Sequence, residues 1–167
     1  MTLFQDKYIK IITIDEDSLS QVLKVYKQCE DFLALGPEPK ATKTMVRNDI
    51  KHSKEEKGLY CGVFDLEDNM LGIVDFVPCA CGGNNENAFI SLIMISKSYR
   101  NKGLGTKIIK AVEKYIGNYP KNKAILSAVQ TNNSKAIKFW ESIGYRIIGE
   151  PELRPDKTIV YYLRKDL

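Results

Sequence analysis

The chain has 167 residues, of which 44% are hydrophobic and 28% are charged. This size suits a single domain over residues 1–167, and the hydrophobic fraction is too high for a disordered chain. The net charge of +4 comes from lysines that alternate with acidic residues, which argues against a nucleic-acid or membrane surface. The sequence shows no secretion signal and no run of 18 uncharged apolar residues, so we expect a cytoplasmic protein.

The first third of the chain predicts a strand followed by two helices. Residues 8–14 alternate and are β-branched, as in a strand, and residues 17–29 then favour a helix with a polar cap. Glycine and prolines within residues 32–39 cannot continue a helix and predict a loop. Thr42 or Thr44 then caps a second helix that runs to about residue 54.

The middle of the chain predicts a hairpin and a buried central strand. Residues 59–66 and 70–78 are apolar runs joined by a short polar link, the pattern of an antiparallel hairpin. A loop rich in Gly and Asn at residues 81–87 follows. Residues 88–95 are almost uninterruptedly apolar, which is typical of a strand buried on both faces. We therefore place this strand at the centre of the sheet.

The remaining elements alternate helix and strand before a final strand pair. Helical spacing of apolar residues continues from residue 103 to 117, and a strand at 124–129 and a helix at 134–142 follow, with terminal strands at 144–149 and 158–163. A strand–helix–strand unit requires a parallel pair, whereas the hairpins require antiparallel ones. The expected fold is α/β (α+β): a mixed, mostly antiparallel sheet of about seven strands, flanked by about four helices.

The turn that follows the central strand has the features of an anion site. Backbone N–H groups at a helix start have no intrahelical partner and carry partial positive charge. Gly103 and Gly105 let the backbone approach a phosphate closely, and Arg100 and Lys102 add full charges. The turn therefore predicts a pyrophosphate site. The alternative is a tight turn that merely lets the helix pack on the strand.

Two common nucleotide-binding motifs do not match this turn. Lys107 lacks the preceding glycines of the triphosphate loop GxxxxGK[ST], and no acidic magnesium partner is evident. The dinucleotide fingerprint GxGxxG fails because Ile108 stands at the third glycine position. The identity of the ligand therefore depends on the residues around the turn.

Two segments together resemble the signatures of the GNAT acyltransferase superfamily. Residues 93–106 match a motif in which an apolar strand end leads through a short link and an aromatic residue to RxxGxG. Residues 133–145 resemble the second signature, an Asn, then Ala-Ile, an aromatic pair and a closing Gly-aromatic. The resemblance covers roughly residues 59–163. It implies a sheet whose central parallel strands splay apart around coenzyme A.

The resemblance also implies acetyl-coenzyme A as the cosubstrate held in that wedge. Its pantetheine arm would pair with the strand backbone, its pyrophosphate would lie on the turn amides, and Asn133 would bond near the thioester. A backbone N–H near Met94 or Ile95 is expected to stabilise charge on the acyl oxygen. The residues expected to contact the cofactor are Ile93, Met94, Ile95, Arg100, Asn101, Lys102, Gly103, Leu104, Gly105, Thr106, Asn133, Lys135, Ala136, Phe139 and Trp140.

The residues that move protons in many family members are missing here. Trp140 stands where the resemblance implies a Tyr acid, and Ala88 and Ala128 stand at about the places of the usual Glu. Asp75, which interrupts an apolar strand, and Glu30, at the end of the first helix, are therefore our catalytic candidates. The alternatives are Asp31, Glu86, Ser91 and Tyr145, or proton transfer through water.

A metal site is not expected from the sequence. His52 is the single histidine, and the CxC motif of Cys79 and Cys81 would need two further ligands. The remaining cysteines are Cys29 and Cys61. An ordinary core of this size does not need a disulfide framework, so we expect four reduced thiols.

These observations predict an acetyl-CoA-dependent N-acetyltransferase that acylates a primary amine of a small molecule or peptide by direct attack in a ternary complex. The alternative is an acyl-CoA-binding sensor or interaction module with the same fold and little turnover. The net charge of +4 mildly disfavours polycationic acceptors such as polyamines, although the local charge of the cleft decides this. An edge strand near the C-terminus is expected to permit a homodimer.

Overall fold

The computed structural model describes residues 1–79 and 86–167 and shows one mixed sheet with helices on both faces. The strands are β1 (Thr2–Gln5), β2 (Lys10–Thr13), β3 (Leu59–Phe64), β4 (Met70–Val77), β5 (Asn87–Ile95), β6 (Ala124–Gln130), β7 (Arg146–Leu153) and β8 (Ile159–Asp166). The helices are α1 (Leu19–Gln28), α2 (Glu30–Leu33), α3 (Lys43–Glu55), α4 (Leu104–Ile116) and α5 (Ser134–Ser142). The predicted loop at residues 81–87 and Cys81 fall largely outside the described residues.

The eight strands lie in the order β1-β2-β3-β4-β5-β6-β8-β7. The pair β5 and β6 is parallel and the other pairs are antiparallel, so the predicted mixed sheet is confirmed. The prediction of about seven strands missed β1, because four residues are too short to show a clear alternation. The strand predicted at residues 8–14 is present as the shorter β2.

The final strand pair is longer than the sequence predicted. Strand β7 continues through Pro151 as far as Leu153, with a register shift between Ile148 and Glu152. This is possible because β7 is the edge strand of the sheet, where the missing N–H of a proline does not break a ladder. An edge strand near the C-terminus is therefore present, and the expected homodimer stays a prediction.

Four helices of nine residues or more cover the sheet, as predicted, and α2 adds one short turn. Helices α1 and α3 pack on one face, where Val22 and Val46 contact the sheet residues Tyr60 and Ile73. Helices α4 and α5 pack on the opposite face with the larger core. The predicted cap is confirmed, since the Thr42 hydroxyl accepts the N–H of Met45 at 3.1 Å at the start of α3.

A one-residue bulge at Ser91 divides β5 into two halves. Across β4, Asp75 pairs with Leu92 and Phe76 pairs with Ile90, so Ser91 has no opposite residue. Ile90 therefore faces the core under α4, whereas Leu92 faces α1 and α3. Parallel pairing with β6 also ends here, at Ile90 and Ser127, and the Ser127 hydroxyl donates to the Ile90 carbonyl at 2.9 Å. The splay that the resemblance implies is confirmed and begins at this bulge.

The pairing of β4 with β5 predicts the effect of a single methyl group. A Cβ on Gly72 would lie 2.5 Å from the Met94 carbonyl oxygen, a backbone atom of the wedge wall. We expect Gly72→Ala to lower the free energy of unfolding by roughly 1–3 kcal/mol, because the strands must move apart. Urea unfolding measures this change.

Gly117→Ala is the matched control for that substitution. Gly117 ends α4 at φ −61°, and the nearest atom to a new Cβ would be the Lys114 carbonyl at 3.4 Å, an ordinary contact. We expect its stability to stay level or rise slightly. Equal losses for the two variants would contradict the close β4–β5 contact.

Candidate active site

Two cavities meet where β5 and β6 splay apart. The first, of about 610 Å³, lies between the end of β5 and the starts of α4 and α5, and we call it the turn groove. The second, of about 700 Å³, lies between α3, the sheet and the β7–β8 hairpin, and we call it the acidic cleft. Both cavities are lined by Phe32, Ile93, Asn133, Ala136 and Trp140. A ligand in one cavity can therefore contact a ligand in the other.

The turn groove contains almost every residue predicted to contact the cofactor. The lining includes Ile93, Met94, Ile95, Arg100, Asn101, Gly103, Leu104, Gly105, Thr106, Asn133, Lys135, Ala136, Phe139 and Trp140. Lys102 is the exception, since its Nζ donates to the Ser98 carbonyl at 2.9 Å and the residue does not line the groove. The two sequence signatures therefore form opposite walls of one cavity.

The start of α4 presents free backbone donors to the turn groove. The first helical bond runs from the Lys107 N–H to the Gly103 carbonyl at 3.1 Å, so the N–H groups of Leu104, Gly105 and Thr106 precede the helical ladder. Gly103 has φ 77°, and a Cβ there would meet nothing within 4 Å. An anion can therefore approach the backbone at Gly103 from open space.

Gly105 serves packing instead of open access. A Cβ on this residue would lie 3.1 Å from the Phe139 ring and 3.4 Å from Ile95. The tight-turn interpretation of the glycine pair is therefore correct for Gly105, while the anion-site interpretation suits Gly103. The two glycines of the motif have different physical roles.

The Arg100 guanidinium is engaged within the protein. Its Nε donates to the Ile95 carbonyl at 2.8 Å, and its two terminal nitrogens donate to the Asp31 carboxylate at 2.6 and 3.1 Å. One terminal nitrogen also reaches the Gln28 carbonyl at 3.3 Å. The bond from Arg100 lowers the pKa of the Asp31 carboxyl. Arg100 therefore ties the turn to α1 and α2, and its expected phosphate contact stays a prediction.

The strand wall of the wedge offers peptide groups of alternate residues. The Ser96 N–H donates to the Leu71 carbonyl at 2.9 Å, which directs Ser96 toward β4. Residues two apart on a strand point the same way, so Met94 also faces β4, and its carbonyl lies against Gly72. Ile93 and Ile95 then face the wedge. Of the two residues expected near the oxyanion donor, Ile95 is the one whose N–H is directed away from β4, and its role stays a prediction.

Asn133 and Trp140 bring the second signature to the wedge. The Asn133 side-chain oxygen caps α5 by accepting the Ala136 N–H at 3.1 Å, which leaves its nitrogen to bond a ligand. Trp140 is buried, with ring centroids 5.5 Å from Phe139 and 4.7 Å from Tyr145. The Tyr145 hydroxyl donates to Glu113 at 3.2 Å and is absent from the residues lining either cavity.

Asp75 lines the acidic cleft at the wedge. The residue is 7% exposed and accepts a hydrogen bond from the Ser53 hydroxyl at 2.5 Å. Burial raises the pKa of the Asp75 carboxyl to about 6, against the opposing effect of the Ser53 bond. Gly58 allows this approach, because a Cβ there would lie 2.7 Å from the Ser53 oxygen. Asp75 is therefore a buried carboxyl group and does not belong to a solvated strand face.

Glu30 lies away from both cavities. Its carboxylate accepts bonds from Lys40 at 2.9 Å and from the Ala41 N–H at 3.1 Å, and the Lys40 bond lowers its pKa. Glu30 therefore fastens the loop between α2 and α3, and the geometry gives it no contact with the wedge. Among the alternative candidates, Ser91 lines the acidic cleft and Glu86 pairs with Lys123 at 2.7 Å.

Several residues of the acidic cleft were not identified from the sequence. Carboxylates of Asp49, Glu56 and Asp156 join Asp75 in its lining, whereas Arg154 is the arginine there. The Tyr26 hydroxyl donates to Asp49 at 2.6 Å, and burial raises the pKa of that carboxyl. These side chains come from α3 and the β7–β8 hairpin, so no local pattern predicts that they meet.

The residues that the structure describes contain no group of three or more His, Cys, Asp or Glu arranged to hold a metal ion. Within the same residues, no helix is long and apolar enough to cross a membrane. Cys29, Cys61 and Cys79 are free thiols.

Similarity to known proteins identifies the family of the chain. The model of the acetyltransferase (GNAT) family matches residues 20–145. The chain belongs to this family. The sequence is 30% identical over 76 residues to a probable spermine N(1)-acetyltransferase of Bacillus subtilis subsp. natto (strain BEST195), an alignment that covers 46% of this chain and 50% of that protein. The chain thus spans about half the length of the curated relatives it matches.

Solved structures share the fold of this GNAT chain. An acetyltransferase from Thermus thermophilus superposes with a TM-score of 0.78 at 17% identity, with 100% of both chains covered. The spermidine N-acetyltransferase from Vibrio cholerae, solved in complex with CoA and spermine, superposes with a TM-score of 0.72 at 16% identity, with 96% of both chains covered. At these identities the likeness establishes the fold.

The bonds of Arg100 predict that it stabilises the protein without any ligand. Arg100→Gln removes the Asp31 pair and the Ile95 contact, so we expect the ligand-free protein to lose about 1–2 kcal/mol of unfolding free energy. Lys102→Gln, in the same turn, should stay within about 0.5 kcal/mol because that side chain is exposed. Urea unfolding of both variants without ligand is the measurement. If Arg100 served the cofactor alone, both variants would be as stable as the parent protein.

Proposed function

We propose that this GNAT protein is an acetyl-CoA-dependent N-acetyltransferase whose acceptor is a cationic small molecule with a primary amine. The observation that carries the proposal is that two cavities of different polar lining meet at the wedge between β5 and β6. One ends on the free amides of a helix start, and the other is lined by carboxylates. An anionic cosubstrate and a cationic acceptor would therefore enter from different sides and meet at β5.

The turn groove fits acetyl-CoA at each of its polar parts. The amides of Leu104 to Thr106 and the open backbone at Gly103 suit a pyrophosphate. The peptide groups of Ile93 suit an amide-containing arm that adds to the strand, whereas the Ile95 carbonyl already accepts the Arg100 Nε–H. The cosubstrate supplies the acyl group as an activated thioester. In this proposal the Ile95 N–H stabilises negative charge on the acyl oxygen.

The charge of the acidic cleft supports a cationic acceptor. Four carboxylates line it against one arginine, whereas the chain as a whole carries +4. The local field at the cleft is therefore opposite in sign to the net charge, which removes the objection to polycationic acceptors. The names of the similar proteins, a spermine N(1)-acetyltransferase and a spermidine N-acetyltransferase, agree with this class of acceptor.

Asp75 is the proposed general base. An amine must lose a proton as its nitrogen bonds the acyl carbon and the carbon–sulfur bond breaks, and a base works best with a pKa near the operating pH. Asp75 lines the acidic cleft opposite Leu92 and has a pKa raised to about 6 by burial. Ser53 holds the carboxylate in position at 2.5 Å. Trp140 has no acidic hydroxyl, so the proton for the thiolate comes from another donor or from water.

Cofactor binding tests the first half of the proposal. Gly103→Glu places a carboxylate where the phosphate is expected, so we expect loss of the thermal shift with acetyl-CoA and at least a tenfold weaker affinity by calorimetry. Gly149→Glu is the matched control, because Gly149 also has positive φ and open space around it. Its affinity for acetyl-CoA should be unchanged. Absence of any shift in the parent protein would refute the proposal.

Turnover separates the enzyme from the sensor. Release of free thiol from acetyl-CoA is measured across a panel of cationic and neutral primary amines. An enzyme with the proposed cleft should release thiol faster with cationic amines than with neutral ones. Binding of acetyl-CoA without thiol release for any amine would favour the sensor, which the absence of Tyr at position 140 and of Glu at positions 88 and 128 motivates.

The role of Asp75 predicts a pH profile. Activity should fall below about pH 6 as Asp75 is protonated, and Asp75→Asn should lower kcat about 100-fold or more and remove this limb. Ser53→Ala removes the bond that lowers the Asp75 pKa, so the acidic limb should move to higher pH. An unchanged profile in both variants would exclude Asp75 as the base.

The same group predicts the reverse effect on stability. Because the folded pKa of about 6 lies above the value of about 3.9 for an unfolded Asp, the folded state retains a proton that the unfolded state releases. Stability is therefore lost as pH rises from about 4 to 6. We expect Asp75→Asn to be more stable than the parent at pH 8, by up to about 3 kcal/mol, and equally stable near pH 3. Unfolding at these two pH values measures the difference.

A further inference from the structure

Gln130 holds a buried oxygen that has no partner within the protein. Among residues 1–79 and 86–167, two buried side-chain oxygens lack a hydrogen bond, those of Asn122 and Gln130. The Asn122 nitrogen donates to the Pro78 carbonyl at 2.8 Å, so that amide has a structural role. Gln130 lies at the opposite end of β6, beside open cavities. A buried acceptor without a donor costs free energy, which a ligand donor would recover.

A third cavity adjoins the acidic cleft beyond Gln130. This cavity, of about 380 Å³, lies between residues 35–37 and the turn of the β7–β8 hairpin. Gln130, Asp156 and Thr158 line both it and the acidic cleft, so the two cavities adjoin at these residues. The far wall is close, since a Cβ on Gly36 would lie 3.4 Å from the Gln130 nitrogen. The distal end of the cleft therefore lies between residues 35–37 and the turn of the β7–β8 hairpin.

Asp156 contributes a carboxylate, held by its own hydrogen bonds, to the same cavity lining as Gln130. One Asp156 oxygen accepts both the Thr158 N–H at 2.9 Å and the Thr158 hydroxyl at 2.6 Å. These bonds lower the pKa of the Asp156 carboxyl, so it is ionised at neutral pH. Lys157 lines the same cavity and is exposed, so its charge opposes that of Asp156. A neutral acceptor and an anion together suit a nitrogen that donates and carries positive charge.

We propose that Gln130 and Asp156 form a distal subsite that binds the second nitrogen of the acceptor. The inference rests on the proposed function and makes it narrower: the substrate is a linear amine with at least two nitrogens. The wedge opens at Ser127, three residues before Gln130, which corresponds to about 10 Å along the strand. With the reacting nitrogen placed at this opening, the second nitrogen would lie about 10 Å from it.

Matched amines test the subsite through selectivity. The probes are 1,7-diaminoheptane and n-heptylamine, which differ in the distal nitrogen alone, and kcat/KM is measured for each with saturating acetyl-CoA. The parent protein should prefer the diamine by tenfold or more, and short diamines should lose this preference. Gln130→Leu should lower kcat/KM for the diamine about tenfold through KM, with heptylamine changed less than twofold. Gln21→Leu, the same change on the exposed face of α1, should alter neither value.

Substitutions at two exposed residues, Asp156 and Lys157, test the subsite without disturbing the folded core. Asp156→Asn keeps an oxygen for Thr158 and removes the charge, so it should also reduce the diamine preference, whereas Lys157→Gln should increase it. Equal selectivity in the parent, Gln130→Leu and Asp156→Asn would overturn the subsite while amine turnover still upheld the proposed function. If no amine is acylated, calorimetry of the two amines with bound CoA decides: equal affinity, or no binding of the diamine, overturns the subsite.

Discussion

The bulge at Ser91 is the feature on which the rest of the site depends. One extra residue in β5 reverses the side-chain alternation, so that Ile90 belongs to one core and Leu92 to the other. The same residue ends the pairing with β6 and directs the next peptide groups into a wedge instead of a ladder. A buried strand with unpaired peptide groups is unfavourable in an empty fold. In the proposed function, the amide-containing arm of acetyl-CoA pairs with these groups.

The wedge separates two environments of opposite charge by the width of one strand. On one side, the start of α4 contributes amides and the positive end of a helix dipole. On the other side, α3 and the β7–β8 hairpin contribute carboxylates. Each environment would repel the ligand of the other, because like charges meet unfavourably. In the proposed function, this charge pattern directs acetyl-CoA to the start of α4 and a cationic acceptor to the acidic cleft.

The sequence predicted those parts of the site that lie close together along the chain. Glycines, the helix start and the cap at Asn133 are local features, so the turn groove could be read from two motifs. The bulge could not, because residues 88–95 show an apolar run in which Ser91 is the one polar residue, and a bulge depends on the register of the neighbouring strand. The partners of Arg100 and Asp75, which are Asp31 and Ser53, lie 69 and 22 residues away in sequence. Contacts of this kind follow from the packing of α1 and α3 on the sheet and leave no periodic pattern.

The position of Trp140 gives a physical reason for the proton chemistry to lie on the acceptor side. The indole fills the junction of both cavities and is held between Phe139 and Tyr145, so it supplies the apolar wall without a group that can exchange a proton. The nearby Tyr145 hydroxyl donates to Glu113, and burial raises the pKa of this hydroxyl well above its usual value. On the other side of the wedge, burial raises the pKa of the Asp75 carboxyl to about 6, and this residue lines the acidic cleft. In the proposed function, the carboxylates of the acidic cleft attract an ammonium, and Asp75 accepts the proton that the amine loses.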